Sequence, residues 1–314
     1  MTSIVSITQS TITEAIAILS DGGLIGLPTE TVYGLAADAT DGEAVAGIFA
    51  VKERPTFNPL ISHVTGRGMA RQHVRFSPLA EALAEAFWPG PLTLVLPRRQ
   101  QSNIHPLATA GLNTLAVRAP AHSAARQILH GLGRPVAAPS ANPSGKLSPT
   151  KADHVASGLG DAVSLILDGG PCPIGLESTV VEVRGERPIL LREGAVTRED
   201  LVEVCGQPLQ EADKVIRAPG QLLAHYAPNA PLRLNAEEPG DNEYMIGFGA
   251  IDGDTMLSSQ GSLQEAAKNL FDALAQANSA RAAAIAVAPI PEKGLGRAIN
   301  DRLQRAATGS RKQP

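Results

Sequence analysis

The residues best suited to chemistry follow the first apolar strand of the sequence. That strand, Leu24 to Leu27, runs into Pro28 and a hydroxyl-rich stretch that ends at Tyr33. Open α/β sheets bind ligands at the ends of their strands, so these polar groups are candidates for a binding loop. Four more polar residues follow soon afterwards: Lys52, Arg54, Asn58 and His63. Clustered cations beside hydroxyl groups are suited to binding a small anion.

Lys52 and Arg54 admit two interpretations. The apolar spacing from Glu43 to Lys52 predicts a helix, and Pro55 cannot continue it. Both cations then stand at the C-terminal end of that helix, where they could hydrogen-bond its last carbonyls. The alternative is a phosphate clamp, in which arginine offers a planar fork and lysine a point charge. The clustering favours the clamp, which makes both residues candidate catalytic groups.

Further predicted strands also end in polar residues. Asn113 to Arg118 is predicted as a strand that ends in a cation, and Val136 to Ala138 as one that leads into Ser140 and Asn142. The polar residues at the ends of later strands are Ser178, Thr179 and Arg192. Several strands are too close in sequence for helical crossovers between them. We therefore predict an α/β fold on a twisted, mixed parallel and antiparallel sheet.

Helix boundaries can be predicted at two places. Thr11 and Glu14 have the spacing of a capping box, which predicts that the first helix begins there. Ser77 and Pro78 are typical of a helix N-terminus, and the apolar pattern behind them continues to Phe87.

The standard nucleotide-binding loops are missing from the sequence. Gly145 and Lys146 resemble the end of a Walker A motif, but that loop needs a glycine where Ser140 stands. No strand leads into a G-x-G-x-x-G fingerprint either. Any nucleotide must therefore be bound by the cationic clamp.

The composition indicates two domains. We predict a first domain over residues 1–206, a linker or lid over 207–230 and a small domain over 231–314. Strands and helices alternate in the last part, which predicts a second, smaller Rossmann-like α/β domain. The proline-containing linker could be a passive spacer, or a lid whose His225 and Tyr226 cover a cleft.

Composition also narrows the class of protein. The 314 residues are 43% hydrophobic and 18% charged, and no stretch approaches the ~20 apolar residues of a membrane span. The N-terminus has no targeting pattern, so we expect a cytoplasmic protein without a membrane partner. Cys172 and Cys205 make neither a disulfide framework nor a metal quartet. No cluster of carboxylates or histidines resembles a metal site, so we predict no metal-binding residues.

The charge distribution favours a small anionic ligand. The net charge of −4 argues against the broad basic surface that dominates nucleic-acid affinity. Between Val51 and Arg75, however, the sequence contains five basic residues and only one acidic residue, Glu53. These residues could be ordinary solvated side chains, or they could concentrate positive potential at a binding site.

Taken together, the motifs resemble the YrdC-like family of threonylcarbamoyl-AMP synthases, in its long form with a C-terminal α/β domain. The matching segments are PTETVYGL (Pro28 to Leu35), the Lys-x-Arg of Lys52 and Arg54, the Ser-x-Asn of Ser140 and Asn142, WPGPLTLVL (Trp88 to Leu96), EST (Glu177 to Thr179), LREG (Leu191 to Gly194) and HYAP (His225 to Pro228). They occur in the family's order and span nearly the whole chain. One departure is the stretch Gln221 to Ala224, which lacks the basic and aromatic residues of the family's linker.

The resemblance implies a reaction and a set of ligands. L-threonine, bicarbonate or CO2, and ATP carried with Mg²⁺ would give L-threonylcarbamoyladenylate and pyrophosphate, which a downstream tRNA threonylcarbamoyl transferase complex would use. The implied threonine-binding residues are Thr31, His63, Arg118 and Ser178. The implied ATP-binding residues are Arg54, Asn58, Thr114, Ala138, Ser140, Asn142, Arg192 and Tyr226. Stable direct binding of tRNA is not expected.

Two other functions stay open. A module that recognises structured RNA would fit the local positive charge, and it predicts salt-sensitive RNA binding without ATP. Carbamoyl transfer in hydrogenase maturation, by a related YrdC-like domain, would normally require acylphosphatase and zinc-finger modules, which are missing from this sequence.

Overall fold

The computed structural model describes residues 3–212, 226–280 and 282–310. Residues 213–225 of the predicted linker lie outside the described residues, and His225 is among them. Tyr226 and the rest of the predicted linker are described.

Within the described residues, the first domain contains a sheet of eleven strands. In chain order they are β1 (Ser3–Ser6), β2 (Ile25–Leu27), β3 (Gly34–Asp38), β4 (Ile61–His63), β5 (Leu92–Pro97), β6 (Thr114–Arg118), β7 (Val136–Ala137), β8 (Leu165–Asp168), β9 (Thr179–Arg184), β10 (Arg187–Arg192) and β11 (Gln210–Glu211). Their order in space is β1-β8-β2-β3-β7-β4-β6-β5-β9-β10-β11. The central strands β2 and β3 are buried along their whole length, as their apolar sequences predict.

The sheet is mixed, as predicted. Strands β2 and β3, β5 and β6, and β9 and β10 are antiparallel neighbours, whereas β4 and β6 run parallel. The register of β4 and β6 pairs His63 with Arg118. Because these are the last residues of two parallel strands, the fold brings their side chains to the same edge of the sheet.

Helices cover both faces of this sheet. They are α1 (Gln9–Ser20), α2 (Gly42–Lys52), α3 (Arg67–His73), α4 (Pro78–Phe87), α5 (Pro106–Thr109), α6 (Ser123–Leu132), α7 (Ala152–Leu159) and α8 (Arg198–Cys205). Leu35 and Ala37 of β3 belong to the large apolar cluster, whereas Ala36 belongs to the cluster formed with α1 and α6. Successive residues of a strand point to opposite faces, so the sheet has an apolar core on each side.

The two predicted helix starts have different outcomes. Ser77 caps α4 and Pro78 is its first residue, which confirms the prediction. The prediction for the first helix was wrong, because Thr8 is the N-cap and pairs with Thr11 at the third helical position. Thr11 therefore belongs to the capping box as its second member, and the helix begins three residues earlier than predicted.

The second domain is a small parallel sheet with two helices, as the alternating pattern predicts. Its strands are β12 (Leu232–Leu234), β13 (Glu243–Gly247), β14 (Thr255–Met256) and β15 (Ala284–Val287), in the spatial order β12-β15-β13-β14. Its helices are α9 (Leu263–Ser279) and α10 (Leu295–Ser310). All strand pairs described in it are parallel.

The two domains share an apolar contact. Val32 and Leu176 of the first domain belong to the same buried cluster as Tyr226 and Phe271. At the other end of the predicted linker, strand β11 lies after residue 206 and pairs with β10. The predicted linker thus begins as an edge strand of the first sheet and ends, at Tyr226, in the contact between the domains.

Candidate active site

A pocket lies among the strand ends of the first sheet, with Tyr226 of the predicted linker in its lining. Its lining residues are Thr31, Val32, Arg54, Ile61, His63, Arg118, Ala138, Pro139, Ser140, Glu177, Ser178, Arg192 and Tyr226. The cavity they enclose has a volume of about 40 Å³. Pockets for drug-sized ligands measure roughly 300–1,000 Å³, so the site in this conformation is nearly closed.

Nine of the predicted site residues line this pocket. They are Thr31, Arg54, His63, Arg118, Ala138, Ser140, Ser178, Arg192 and Tyr226. Four others are outside its lining: Lys52, Asn58, Thr114 and Asn142. Thr114 begins β6 whereas Arg118 ends it, which separates the two by roughly 13 Å of extended chain.

Arg118 anchors one end of the pocket. Its guanidinium donates to Thr31 Oγ1 at 2.9 Å and to Glu30 Oε1 at 2.6 Å, and its Nε donates to the Gly90 carbonyl at 3.2 Å. Burial alone would raise the pKa of Glu30, but the charge and hydrogen bond of Arg118 hold it below its ordinary value. Glu30 is therefore ionised, and it fixes the plane of the guanidinium that faces the pocket.

His63 presents a neutral, unpaired nitrogen beside Arg118. Burial, and then the charge of Arg118, lower the pKa of His63 to about 3. Its Nδ1 is buried and has no hydrogen-bond partner among the described residues. A buried polar atom without a partner is uncommon, and at a pocket wall it indicates a position for a ligand group.

Arg54 lies across the pocket and remains charged at neutral pH. Its Nε donates to the Asn58 carbonyl at 3.2 Å and its Nη2 to the Pro59 carbonyl at 2.9 Å. Burial, and then the charge of Arg192, lower its pKa to about 10. These bonds hold the guanidinium on the loop after α2, with further N–H groups to offer a ligand.

Lys52 is beneath the pocket and not in it. Its side chain is 1% exposed, and its Nζ donates to the main-chain carbonyls of Ser140 and Asn142. Burial, and then the charge of Arg54, lower its pKa well below the ordinary value. In this conformation the Lys52 ammonium supports the loop that carries Ser140, and its role as a phosphate clamp stays a prediction.

The helix-capping interpretation does not describe the two cations. The donors of Lys52 and Arg54 go to carbonyls of other loops, and Glu53 ends α2 in the left-handed conformation with φ of 51°. Both side chains thus fasten loops that border the pocket.

The loop of Ser140 is held on several sides. Gly34 forms a bridge with Ser140, and Leu35 N donates to the Pro139 carbonyl at 2.8 Å. Asn142 Nδ2 donates to the carbonyls of Pro143 and Lys146, while its Oδ1 is buried without a partner among the described residues. The loop is therefore rigid where it meets the pocket.

Arg192 and Ser178 form the opposite wall. Arg192 donates through Nε and Nη2 to the Ser178 carbonyl at 3.1 and 2.8 Å, and through Nη2 to Ser178 Oγ at 3.1 Å. Thr93 Oγ1 lies 2.8 Å from the same Ser178 hydroxyl. Three guanidinium groups thus face one pocket, which is suited to a highly charged anion.

Several functional candidates were missed from the sequence. Glu30 and Glu177 lie inside matched motifs: Glu30 pairs with Arg118 of the pocket lining, and Glu177 lines the pocket itself and pairs with Arg302. Ser148 Oγ donates to Glu177 Oε1 at 2.6 Å. Arg302 on α10 donates to Glu177 Oε2 at 2.9 Å. Motif position could have indicated the two glutamates, but nothing local to Arg302 indicates a partner so distant in sequence.

Three observations concern metals, thiols and membranes. No group of three or more His, Cys, Asp or Glu side chains in the described ranges could hold a metal ion. Cys172 and Cys205 are free thiols, and burial raises the pKa of Cys172 to about 12. Among the described helices, none is long and apolar enough to cross a membrane.

Comparison with known proteins defines the class. A family described as telomere recombination (Sua5, YciO, YrdC) matches residues 17–194, and the family described as the threonylcarbamoyl-AMP synthase C-terminal domain matches residues 196–308. The chain is 40% identical to the threonylcarbamoyl-AMP synthase of Pyrococcus abyssi, with 93% of each chain covered. It is 37% identical to the enzyme of that name from Bacillus subtilis, with 95% of this chain and 93% of that one covered.

A solved structure shows the same architecture. The crystal structure of P. abyssi Sua5 complexed with L-threonine matches with a TM-score of 0.90 and 37% identity, over 98% of each chain. The chain belongs to the threonylcarbamoyl-AMP synthase family of YrdC-like proteins.

Proposed function

We propose that this protein is an L-threonylcarbamoyladenylate synthase. It converts L-threonine, bicarbonate or CO2, and MgATP to threonylcarbamoyl-AMP and pyrophosphate. The observation that carries the proposal is one pocket lined by three arginines and by the neutral His63, in a chain of this family. The relatives that match over nearly their whole length are named for this activity.

The chemistry needs positive charge more than it needs a nucleophile. The amine of threonine attacks the carbon of CO2, one C=O π bond opens and the nitrogen loses a proton, which gives an N-carboxylate. If bicarbonate is the source, it first loses hydroxide as water to give CO2. One oxygen of that carboxylate attacks the α-phosphorus of ATP, the bond from this phosphorus to the bridging oxygen breaks, and pyrophosphate leaves. Charge develops on the phosphate oxygens, and fixed guanidinium groups stabilise it.

Threonine is proposed to bind at the Arg118 end. Arg118 has N–H groups beyond those bonded to Thr31 and Glu30, and these suit the amino acid carboxylate. His63 offers the unpaired Nδ1, and Ser178 offers a hydroxyl. The P. abyssi relative whose structure contains L-threonine supports an amino acid subsite in this family.

The nucleotide is proposed to bind from Arg54 to Arg192. Ser140, Ala138 and Tyr226 also line the pocket. Asn58 and Asn142 each hold a buried amide oxygen without a partner among the described residues, which favours a ligand contact for both. Thr114 stays in the proposed set on resemblance alone.

Arg54 is the proposed catalytic cation, and Lys52 is proposed to act through the loop it supports. Arg54 faces the pocket, whereas the Lys52 ammonium is engaged by two carbonyls. Mg²⁺ is proposed to arrive with the triphosphate and to keep mostly water ligands, since Mg²⁺ bound to substrate phosphates needs few protein carboxylates.

The domain assignment is also a proposal. Residues 1–206 form the catalytic domain, 207–230 a linker that acts as a lid, and 231–314 the small domain. The cavity of about 40 Å³ supports a lid, since ATP and threonine together need far more space. Tyr226, which is 1% exposed, closes one side of that cavity.

The product is proposed to serve tRNA modification. A separate transferase complex would use it to form N6-threonylcarbamoyladenosine next to the anticodon of ANN-decoding tRNAs. We accordingly propose a cytoplasmic location. The protein itself would not bind tRNA stably.

Pyrophosphate release tests the proposal. Purified protein with MgATP, L-threonine and bicarbonate should release pyrophosphate, and omission of either threonine or bicarbonate should abolish the release. Formation of ADP and phosphate would overturn the proposed reaction. Release that tRNA stimulates in the absence of threonine would favour an RNA-directed function instead.

A further inference from the structure

One arginine of the second domain reaches the wall of the active-site pocket. Arg302 lies on α10, and its side chain is 0% exposed. Its Nε donates to Glu177 Oε2 at 2.9 Å, and its guanidinium carbon lies 5.5 Å from the centre of the Tyr226 ring. Both contacted residues line the pocket. The second domain is therefore directly connected to the site.

Glu177 is an unusual residue for a pocket that takes a triphosphate. Its carboxylate is 5% exposed and lies beside the subsite proposed for the nucleotide. Like charges close together in a buried site repel each other strongly. Burial alone would raise the pKa of Glu177, but the charges of Arg302 and Arg192 and a hydrogen bond from Ser148 hold it at about 2. The carboxylate is thus ionised, and its charge must be balanced before a polyphosphate can enter.

The other ion pairs between the domains are more accessible to solvent than the Arg302–Glu177 pair. Arg297, on the same helix as Arg302, pairs with Glu199 at 2.7 Å, but both side chains are exposed, to 32% and 56%. Lys151 and His154 both contact the Asp272 carboxylate, at 2.7 and 3.4 Å, and the three side chains are partly exposed. Solvent-accessible pairs contribute little to stability, and none of these residues lines the active-site pocket. In the described part of the chain, the Arg302 pair alone joins the domains through a pocket residue.

A second feature indicates more than a structural pair. Arg302 Nη1 donates to Asp301 at 2.8 Å, whereas Nη2 is buried without a partner among the described residues. An arginine placed only to join two domains would be expected to satisfy its buried donors. This one keeps a charged N–H group free next to Glu177 and Tyr226.

We propose that Arg302 is a positioning residue that the second domain contributes to the nucleotide site. It neutralises Glu177 and supports the face of Tyr226, so the pocket accepts a triphosphate only when the second domain is docked. This inference rests on the proposed function, and it adds a role for the second domain. Threonine binding at the Arg118 end depends on Arg302 much less.

The proposal has a defined physical consequence. Without Arg302, the buried Glu177 carboxylate would be left to the nearest remaining cation, Arg192. Arg192 would then turn part of its charge away from the nucleotide, and Glu177 would repel the phosphates. ATP affinity should fall, and removal of the Glu177 charge should restore much of it.

Four variants measured by calorimetry test this. They are Arg302→Met, Arg302→Lys, the double variant Arg302→Met with Glu177→Gln, and the control Arg297→Met, which breaks an exposed pair on the same helix. The dissociation constants of MgATP and of L-threonine are measured separately in the full-length chain. Circular dichroism and thermal melting show whether each variant is folded.

We expect Arg302→Met to weaken MgATP binding about tenfold to a hundredfold and L-threonine binding less than about threefold. Arg302→Lys should lie between Arg302→Met and wild type, the double variant should regain at least part of the loss, and Arg297→Met should match wild type. Wild-type ATP affinity in folded Arg302→Met would overturn the inference. Equal losses in Arg297→Met would overturn it too, since simple docking would then be the cause.

These outcomes are separate from those of the proposed function. Wild-type protein that binds MgATP but releases no threonine-dependent pyrophosphate counts against the proposed function alone. If the double variant binds MgATP as weakly as Arg302→Met does, the proposed neutralisation of Glu177 is wrong, whereas the proposed function is unaffected.

Discussion

The buried Lys52 ammonium provides the sharpest test of how the nucleotide loop is held. Substitution Lys52→Met keeps most of the side-chain volume and removes the donor that reaches the carbonyls of Ser140 and Asn142. If the ammonium supports the loop, both stability and ATP binding should fall. If it contacts a phosphate directly, turnover should fall while stability stays unchanged.

The magnitude follows from the two carbonyls. The Asn142 carbonyl loses its ammonium donor, which costs about 1–3 kcal/mol. The Ser140 carbonyl keeps the Asn142 backbone N–H at 3.0 Å and loses only its bond to the charged ammonium, worth about 1.5–3 kcal/mol, so the two together cost about 2.5–6 kcal/mol. The variant no longer buries an ammonium, which offsets part of that cost. We therefore expect Lys52→Met to lose about 2–4 kcal/mol of unfolding free energy. For a domain of this size, that corresponds to a fall in melting temperature of roughly 4–16 °C.

Calorimetric melting and ATP titration measure both quantities on the same sample. Lys151→Met is the matched control, because that lysine is exposed and its ion pair with Asp272 should be worth less than about 1 kcal/mol. ATP affinity should fall about tenfold or more in Lys52→Met, because the displaced loop carries Ser140. An unchanged melting temperature and ATP affinity, together with a large fall in kcat, would refute the supporting role.

Four further predictions follow from the geometry. Ser140→Ala should weaken ATP binding more than threonine binding, and calorimetry with each ligand would contradict this by showing the reverse. Arg118→Lys should raise the KM for threonine at least about tenfold, since the guanidinium fork is lost, while the KM for ATP changes less; equal effects on both would count against the threonine subsite. His63 has a pKa of about 3 and should stay neutral between pH 5 and 8. The substitution His63→Asn should therefore leave the shape of the profile of kcat against pH unaltered in this range. If the variant lost an acidic limb of that profile, His63 would titrate between pH 5 and 8. The pKa of Glu177 is about 2 in the folded protein against an ordinary 4.5, so its ionised carboxylate contributes about 3 kcal/mol to the free energy of unfolding above pH 4.5. This contribution should disappear as the pH falls from 4.5 towards 2. The stability difference between wild type and Glu177→Gln should therefore narrow over this range, and a constant difference would contradict the assignment.

Elements with strong local signals could be predicted from the sequence. The serine and proline at Ser77 and Pro78 define the start of α4, because both residues act through local backbone chemistry. The start of α1 was misplaced because the sequence rule expects Glu or Gln at the third helical position and so selects Thr11 and Glu14, whereas in the structure the Thr11 hydroxyl takes that role for the N-cap Thr8. Strands β1, β11, β12 and β14 are short and exist because a neighbour pairs with them, which the sequence does not reveal.

In the candidate site, too, features with a local sequence signal could be predicted, whereas contacts between distant residues could not. Strand ends and motifs identified most of the residues that line the pocket, because parallel strands bring their ends together. The direction of a side chain could not be predicted, so the sequence did not reveal that the Lys52 ammonium donates to the carbonyls of the Ser140 loop. The contact of Arg302 with Glu177 joins residues 125 positions apart, and no periodicity or motif links them.

The central claim is that this pocket joins threonine, a one-carbon unit and AMP. Isotope-labelled bicarbonate supplied with L-threonine and MgATP tests it most directly, with the products separated by rapid chromatography and identified by mass spectrometry. We expect a labile product that contains adenosine monophosphate, threonine and the labelled carbon, formed in equal amount to pyrophosphate. A threonyl adenylate without the labelled carbon, or ADP and phosphate as the only products, would contradict it.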